Sequence, residues 1–198
     1  MAKRMLDLVG ASLLILLFAP VMLIIAVAVR LDSDGPSLFR QSRVTRGGRL
    51  FVMFKFRSMR NAQMDVGSLI TVDGDARITR VGAFLRKSKL DELPQLFNVL
   101  RGDMSLVGPR PDVPSYVLLY PRRLRDVILS VRPGITDDAS LEFRNESEVL
   151  ARAADPERTY ISEILPRKLE LYAHYARHHS FCGDLRILLR TVLFVLRG

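Results

Sequence analysis

From Leu8 to Val29 no side chain is ionisable and almost every position is apolar, so this first hydrophobic run has no polar face to turn toward water. Such a run predicts a membrane segment. As a continuous helix rising about 1.5 Å per residue it would reach roughly 33 Å, enough for a hydrocarbon core of about 30 Å. Pro20 stands near its middle, where a missing N–H and a clash with the preceding turn predict a kink or a break. Past Arg30 the pattern shortens. Gly35-Pro36, Gly47-Gly48 and Gly74 punctuate brief segments. The stretch Leu50 to Arg57 alternates toward its end, with Phe54 and Phe56 on one face and Lys55 and Arg57 on the other, which predicts a half-buried strand. Helical spacing then dominates, over residues 83–87, about 91–100, 115–129 and from 166 onward. The fold class expected is α+β and mainly helical, with no internal repeat and no second globular domain.

Charge changes the picture of the apolar run. Lys3 and Arg4 precede it, and Arg30, Arg40, Arg43, Arg46 and Arg49 follow. Basic flanks favour the cytoplasmic side, and here both ends ask for it. A re-entrant helix, broken at Pro20 and returning to the face it entered, satisfies both flanks, with Ser12 or buried groups serving the carbonyls freed near Ala19. A kinked full span is the alternative that the residues alone leave open. Lys3-Arg4, the apolar run and Ala26-Val27-Ala28 also fit a secretory signal peptide; the expectation is a retained anchor.

The whole chain carries a net charge of +9, with 48% apolar and 26% charged residues, so it reads as folded and drawn to anionic partners. One cysteine, Cys182, excludes an intrachain disulfide and fits a reducing compartment. Nothing marks it as a thiolate. From Leu185 to Leu196, Arg186, Arg190 and Arg197 fall on one stripe while Leu185, Leu188, Leu189, Val192, Leu193 and Leu196 fill much of the rest. That suits an interfacial helix with arginines at head-group level, and an ordinary packed helix equally. His174 and His178 have the spacing of two metal ligands, but with His179 they lack a third partner nearby and read as surface histidines.

Against the positive background stands one acidic step, Leu90-Asp91-Glu92-Leu93-Pro94-Gln95. Ser88 three residues before Asp91 resembles a capping box, and Pro94 favours a first helical turn, so the two acids are expected near a helix N-terminus. The helix dipole together with Arg86, Lys87 and Lys89 favours their ionised forms, leaving one free as a nucleophile or metal ligand. Dipole compensation alone is the plainer reading of such a pair. Downstream, Gly108-Pro109-Arg110-Pro111 holds an arginine between two prolines that restrict its backbone. A guanidinium presented that way suits a phosphate or a carboxylate.

Several segments occur in an order that resembles a known family. They are Lys55-Phe56-Arg57-Ser58-Met59, Ser88 through Leu100, Gly102 through Pro111, and Arg132-Pro133-Gly134-Ile135-Thr136. Together they look like the bacterial sugar transferases, the monotopic phosphoglycosyl transferases that begin lipid-linked glycan assembly, and the resemblance covers nearly the whole chain. It implies transfer of a sugar 1-phosphate from a UDP-sugar to a polyprenyl phosphate, with UMP released, Mg²⁺ required and a phosphoglycosyl-aspartate intermediate. Carried over by position, Asp91 is the nucleophile and Glu92 its partner. Lys55, Arg57, Arg86 and Arg110 are the cations expected to neutralise the diphosphate, with Pro109 and Pro111 holding Arg110. Asp91 or Glu92 is expected to ligate the metal, Asp103 being a poorer third.

The resemblance also implies an anchor over residues 1–30 that is re-entrant and broken at Pro20. Residues 31–198 are then a cytoplasmic catalytic domain with interfacial helices at the bacterial inner membrane. Partners implied are the UDP-sugar, polyprenyl phosphate and membrane lipids, with no nucleic acid and with room for a homo-oligomer. After Thr136 the chain departs from many relatives, which continue with Gly, an aromatic or Leu, and Ala-Gln; here it reads Asp137-Asp138-Ala139-Ser140. Arg144-Asn145 resembles a later family element, which makes Arg144 a candidate phosphate contact. A membrane-tethered basic module that binds nucleic acid or lipid without catalysis is the competing class; it predicts cations clustered with exposed aromatics rather than around an acidic pair.

Overall fold

A computed structural model describes residues 1–60, 72 and 74–197, with side chains described as far as Phe194 among the last residues. The expected stripe positions Leu196 and Arg197 therefore lie outside the described side chains. Helix α1 (Ala2–Asp32) is followed by an antiparallel hairpin of β1 (Leu38–Val44) and β2 (Leu50–Phe56), in register from Leu38 opposite Phe56 to Val44 opposite Leu50. Next come α2 (Arg80–Lys87), a single 3₁₀ turn over Leu90–Glu92, and α3 (Gln95–Arg101). Strand β3 (Ser105–Val107) pairs in parallel with β4 (Gly134–Thr136), and α4 (Pro114–Leu118) and α5 (Arg122–Ile128) lie between them in sequence. Helices α6 (Asp138–Glu142), α7 (Glu146–Ala151), α8 (Pro156–Thr159), α9 (Leu165–His178) and α10 (Phe181–Arg197) complete a mainly helical chain.

Local chemistry explains where several expectations shift. The helix expected over 115–129 is two, because Pro121 cannot extend α4 and starts α5 instead. Ser88 does not cap the acidic step: it ends α2, its hydroxyl donating to the carbonyls of Phe84 and Leu85. Lys89 follows at φ 57°, a left-handed turn that separates α2 from the 3₁₀ turn.

Helix α1 includes Pro20 without an interruption of the helix, so the structure shows one element there rather than two separated by a break. It touches the rest of the chain at both ends. Ala11, Leu14 and Ile15 pack on a core containing Phe51, Met53, Leu96, Val99 and Met104, while Ile25, Val29, Val21 and Met22 pack on another containing Phe56 and Leu85. Pro20 falls between the two contacts, and Leu13, Leu16, Leu17, Leu23 and Ile24 are exposed.

Polar clasps hold each end of α1. Lys3 donates to Asp184 at 2.6 Å, to the Val107 carbonyl at 2.9 Å and to the Tyr175 hydroxyl at 3.1 Å. Arg4 donates to the carbonyls of Val99 and Leu100, which end α3. Buried Asp7 accepts from the Ser105 hydroxyl at 2.8 Å and the Leu106 N–H at 2.9 Å. At the other end Arg57 donates to the carbonyls of Ser33, Asp34 and Val29, at 2.6, 2.8 and 3.3 Å. Ser33 and Asp34 lie just past the helix, so Arg57 ties down the turn by which the chain leaves α1.

Two glycines join the motifs around Arg110. A Cβ on Gly134 would lie 2.1 Å from the Gly108 nitrogen, and one on Gly108 would lie 2.5 Å from the Arg132 carbonyl. The backbones can therefore cross only as glycines, which lets Gly134 donate to the Pro109 carbonyl at 2.9 Å and Gly108 to the Thr136 carbonyl at 3.0 Å.

Candidate active site

Asp91 and Glu92 sit on the short turn between α2 and α3, and two separate elements close over them. Strand β2 brings Lys55, whose Nζ donates to Glu92 Oε1 at 3.0 Å. The loop after β3 brings Arg110, which donates to both Glu92 oxygens, Nη1 reaching Oε2 at 3.2 Å and Nη2 bonding Oε1. This bidentate geometry suits a planar guanidinium facing a carboxylate. Asn98 of α3 sets the strand's position: its Oδ1 accepts from the Phe54 N–H at 3.0 Å and its Nδ2 donates to the Val52 carbonyl at 2.7 Å. The buried amide acts as an extra rung on the edge of β2, one residue from Lys55. Replacing Asn98 by Ala should cost about 1–3 kcal/mol, since two backbone groups lose their partners; denaturant unfolding in detergent measures this, and an unchanged midpoint would contradict the assignment.

The environments of the two acids diverge. Burial alone would raise Glu92, but the charges of Arg110 and Lys55 overcome it and hold this carboxyl well below the usual range. Burial pushes Asp91 up, against the opposing pull of Lys55. Asp91 is 6% exposed, and its Oδ1 has no hydrogen-bond partner among the described residues. Burial lowers Lys55 while Glu92 opposes that shift, and Glu92 raises Arg110. One carboxylate is thus locked as an anion between two cations, and its neighbour is left free. Divergent environments of this kind assign different roles to paired acids.

The other sequence candidates separate. Arg86, in the last turn of α2, is near enough for its charge to favour the ionised form of Asp91. Pro109 and Pro111 hold the Arg110 loop through their carbonyls, the second accepting from Arg43 at 3.1 Å. Arg57 is corrected: it is 4% exposed, and both terminal nitrogens are spent on the end of α1, so it does not join Lys55 in facing the dyad. The alternation that put both cations on one strand face could not show that the strand ends at Phe56. Arg144 lies between α6 and α7 with its guanidinium 5.6 Å from the Phe194 ring, and no hydrogen bond joins it to the dyad among the described residues. Asp103 contributes its backbone carbonyl to Thr45 rather than a carboxylate to the dyad. Among the described residues no three of His, Cys, Asp and Glu gather as a metal cluster, and the His178 ring bonds the His174 carbonyl instead.

Asp137 was not among the sequence candidates. It is buried, caps α6 by accepting from the Ser140 N–H at 2.6 Å, and bears with Tyr172 on the charge of Arg110. Its place directly after Thr136, where the family pattern has glycine, was the available signal. Burial pushes its pKa up to about 6 from an ordinary 3.8. The folded state therefore holds a proton that the unfolded chain releases, so this group's stabilising contribution is full below 3.8 and lost as pH rises through about 6. Asp137→Asn keeps a capping oxygen and should flatten that dependence, raising stability at pH 7.5 by about 2–3 kcal/mol relative to pH 4. Melting temperatures across the range test the sign; an unchanged slope would contradict it.

The match to a known family is as extensive as the site is specific. The model of the family described as bacterial sugar transferase matches residues 1–198.

The chain belongs to that family.

It is 40% identical over 198 residues to the UDP-N-acetylgalactosamine-undecaprenyl-phosphate N-acetylgalactosaminephosphotransferase of Aeromonas hydrophila, covering 99% of this chain and 44% of the relative. It is 40% identical over 193 residues to the UDP-glucose:undecaprenyl-phosphate glucose-1-phosphate transferase of Caulobacter vibrioides, covering 96% of this chain and 68% of the relative. The enzyme of the same name from Escherichia coli K12 is 38% identical over 193 residues, covering 96% of this chain and 39% of the relative. The chain thus spans between 39% and 68% of the length of these bacterial sugar transferases.

Proposed function

We propose that this chain transfers a sugar 1-phosphate from a UDP-sugar to a polyprenyl phosphate, releasing UMP, as the first membrane step of glycoconjugate assembly. The observation that carries the reading is the unequal pair: an anchored Glu92 and a buried Asp91 whose Oδ1 has no partner among the described residues, beside Lys55, Arg110 and Arg86. In the first step a carboxylate oxygen of Asp91 bonds to the sugar-linked phosphorus, the bond from that phosphorus to the bridging oxygen breaks, and UMP leaves with the electron pair. In the second, an oxygen of polyprenyl phosphate attacks the same phosphorus and Asp91 departs as a carboxylate. Glu92 holds Arg110 and Lys55 where the spreading negative charge must be met.

The donor set also fits Mg²⁺. Asp91 Oδ1 lacks a protein partner among the described residues, whereas both Glu92 oxygens are engaged, which supports Asp91 rather than Glu92 as the group that would hold the ion. A single carboxylate suits an ion that arrives with substrate phosphates rather than one caged by protein. When bound, the ion would supply positive charge to the diphosphate.

The same reading places residues 1–30 as a re-entrant anchor, with residues 31–198 on the cytoplasmic face of the inner membrane. Both ends of α1 are clasped by one folded domain, Lys3 through Asp184 and the carbonyls of Val29 and Ser33 through Arg57. A helix with its ends on opposite sides of a bilayer could not be held so. Cysteine introduced at position 2 or 35, with Cys182 removed, should react with a membrane-impermeant maleimide only from the cytoplasmic side; labelling of the two positions from opposite sides would rule the anchor out.

The transferase reading is tested by incubating the detergent-solubilised chain with Mg²⁺, polyprenyl phosphate and a panel of UDP-sugars while measuring UMP. Release with at least one sugar is expected, and none with any would overturn it. The non-catalytic basic module loses support because Lys55 and Arg110 are turned onto Glu92 rather than outward among aromatics.

A further inference from the structure

Apart from the dyad, the chain has a cavity of about 530 Å³ where the C-terminal end of α1 meets the start of β1, lined by Arg30, Pro36, Leu38, Phe39, Arg40 and Arg57, with Ser37. Three arginines and, among the described residues, no acid line it. The nearby acid Asp32 is turned elsewhere, accepting from the Val81 N–H at 3.0 Å and bonding Thr79. Arg57 is the most informative member. Its terminal nitrogens are held by the end of α1, yet its buried Nε has no partner among the described residues. That Nε is sealed from solvent, so what Arg57 lends the cavity is its fixed positive charge.

The surroundings narrow the kind of anion. Leu23, Ile24, Val27 and Leu31 are exposed on the adjoining turns of α1, Leu31 by 84%, and Phe39 is exposed on β1. A ligand whose charged head sits among the arginines has an apolar surface beside it for a tail. Phe39 is also the cross-strand partner of Lys55, whose ammonium bonds Glu92. The cavity therefore lies one strand away from the cations of the dyad.

We infer that this cavity binds the phosphate head group of a membrane lipid, with Arg30 and Arg40 as its charged walls and the charge of Arg57 behind them. Resting on the transferase reading, the site takes the acceptor's phosphate as it enters from the bilayer; an anionic phospholipid offers the same chemistry, and the experiment separates the two.

The variant is R30Q/R40Q in the full chain, which leaves Arg57 to close α1 and leaves the dyad untouched. Three measurements are made beside wild type: the UMP burst with UDP-sugar and no acceptor, initial rates against polyprenyl phosphate in mixed micelles, and retention on phosphatidylcholine vesicles carrying polyprenyl phosphate or phosphatidylglycerol. For an acceptor site, KM for polyprenyl phosphate rises about tenfold or more and retention on its vesicles falls, while the burst is unchanged. Loss of retention on phosphatidylglycerol vesicles alone, with KM unchanged, assigns the cavity to bulk phospholipid and also supports a head-group site. Unchanged KM and retention, or a burst that falls in step with the acceptor rate, overturns the proposal. Should wild type release no UMP with any sugar, the transferase reading fails while the vesicle measurement still decides the cavity.

Discussion

Asp91→Asn is expected to abolish UMP release, by about 10⁴-fold or more, while the melting temperature stays level or rises. Asparagine keeps the volume of the side chain but has no anionic oxygen to bond phosphorus. Stability moves the other way because Asp91 is a buried carboxyl whose Oδ1 has no partner among the described residues, raised by burial above its ordinary 3.8. A raised acid contributes stability below its unfolded pKa and loses it as pH rises through the folded one, so ionised Asp91 weighs on the fold at neutral pH. The neutral amide removes that burden, and its benefit should grow from acid toward neutral pH. Wild-type turnover should decline in acid above the range of an ordinary carboxylate. Intact-mass measurement of the wild type with UDP-sugar and no acceptor should find a phosphosugar on Asp91; an adduct on another residue would remove Asp91 from the chemistry.

Glu92→Gln should injure fold and turnover together. The amide can still accept from Arg110 or Lys55 but cannot balance two positive charges at 12% side-chain exposure. Breaking a fully buried pair costs about 3–5 kcal/mol; because the Arg110 side chain is about a third exposed, roughly 2–3 kcal/mol is expected here. Without their anchor the two cations are no longer aimed at the diphosphate, and kcat should fall about 10²- to 10³-fold. Paired unfolding and rate measurements separate Glu92 from Asp91: loss of both quantities marks the anchor, and loss of rate alone marks the nucleophile. A Glu92→Gln protein as stable as wild type would refute the anchoring role.

The dyad, Arg110 and Lys55 were readable in the sequence because each is marked by a local device: an acidic step in a basic chain, an arginine between prolines, a cation on an alternating strand. Arg57 has the same local mark as Lys55, and only the carbonyls of Ser33 and Asp34 tell them apart. Those partners lie more than twenty residues away, beyond the reach of periodicity. The strand over Leu50–Phe56 was legible, but its partner β1 was not, since Leu38–Val44 is mostly exposed or half-buried and lacks a clean alternation. The β3–β4 pair, two strands of three residues, depends on two glycines meeting backbone to backbone, which no propensity encodes. Ser88 followed the capping rule in spacing yet served the helix before it, because left-handed Lys89 intervenes.

The clasp on Lys3 sets an order of events. Its partner Asp184 is 181 residues further along the chain, so at about 5–20 residues per second of synthesis some 10–40 seconds pass before the two can meet. The apolar helix precedes all the polar partners of its N-terminal end in synthesis, the nearest being the Val99 and Leu100 carbonyls that meet Arg4, so it can reach the bilayer before any of them is made. Its first orientation must therefore be chosen by lipid and by its own basic flanks, and closure of the ion pair comes afterwards, as a latch on a decision already made.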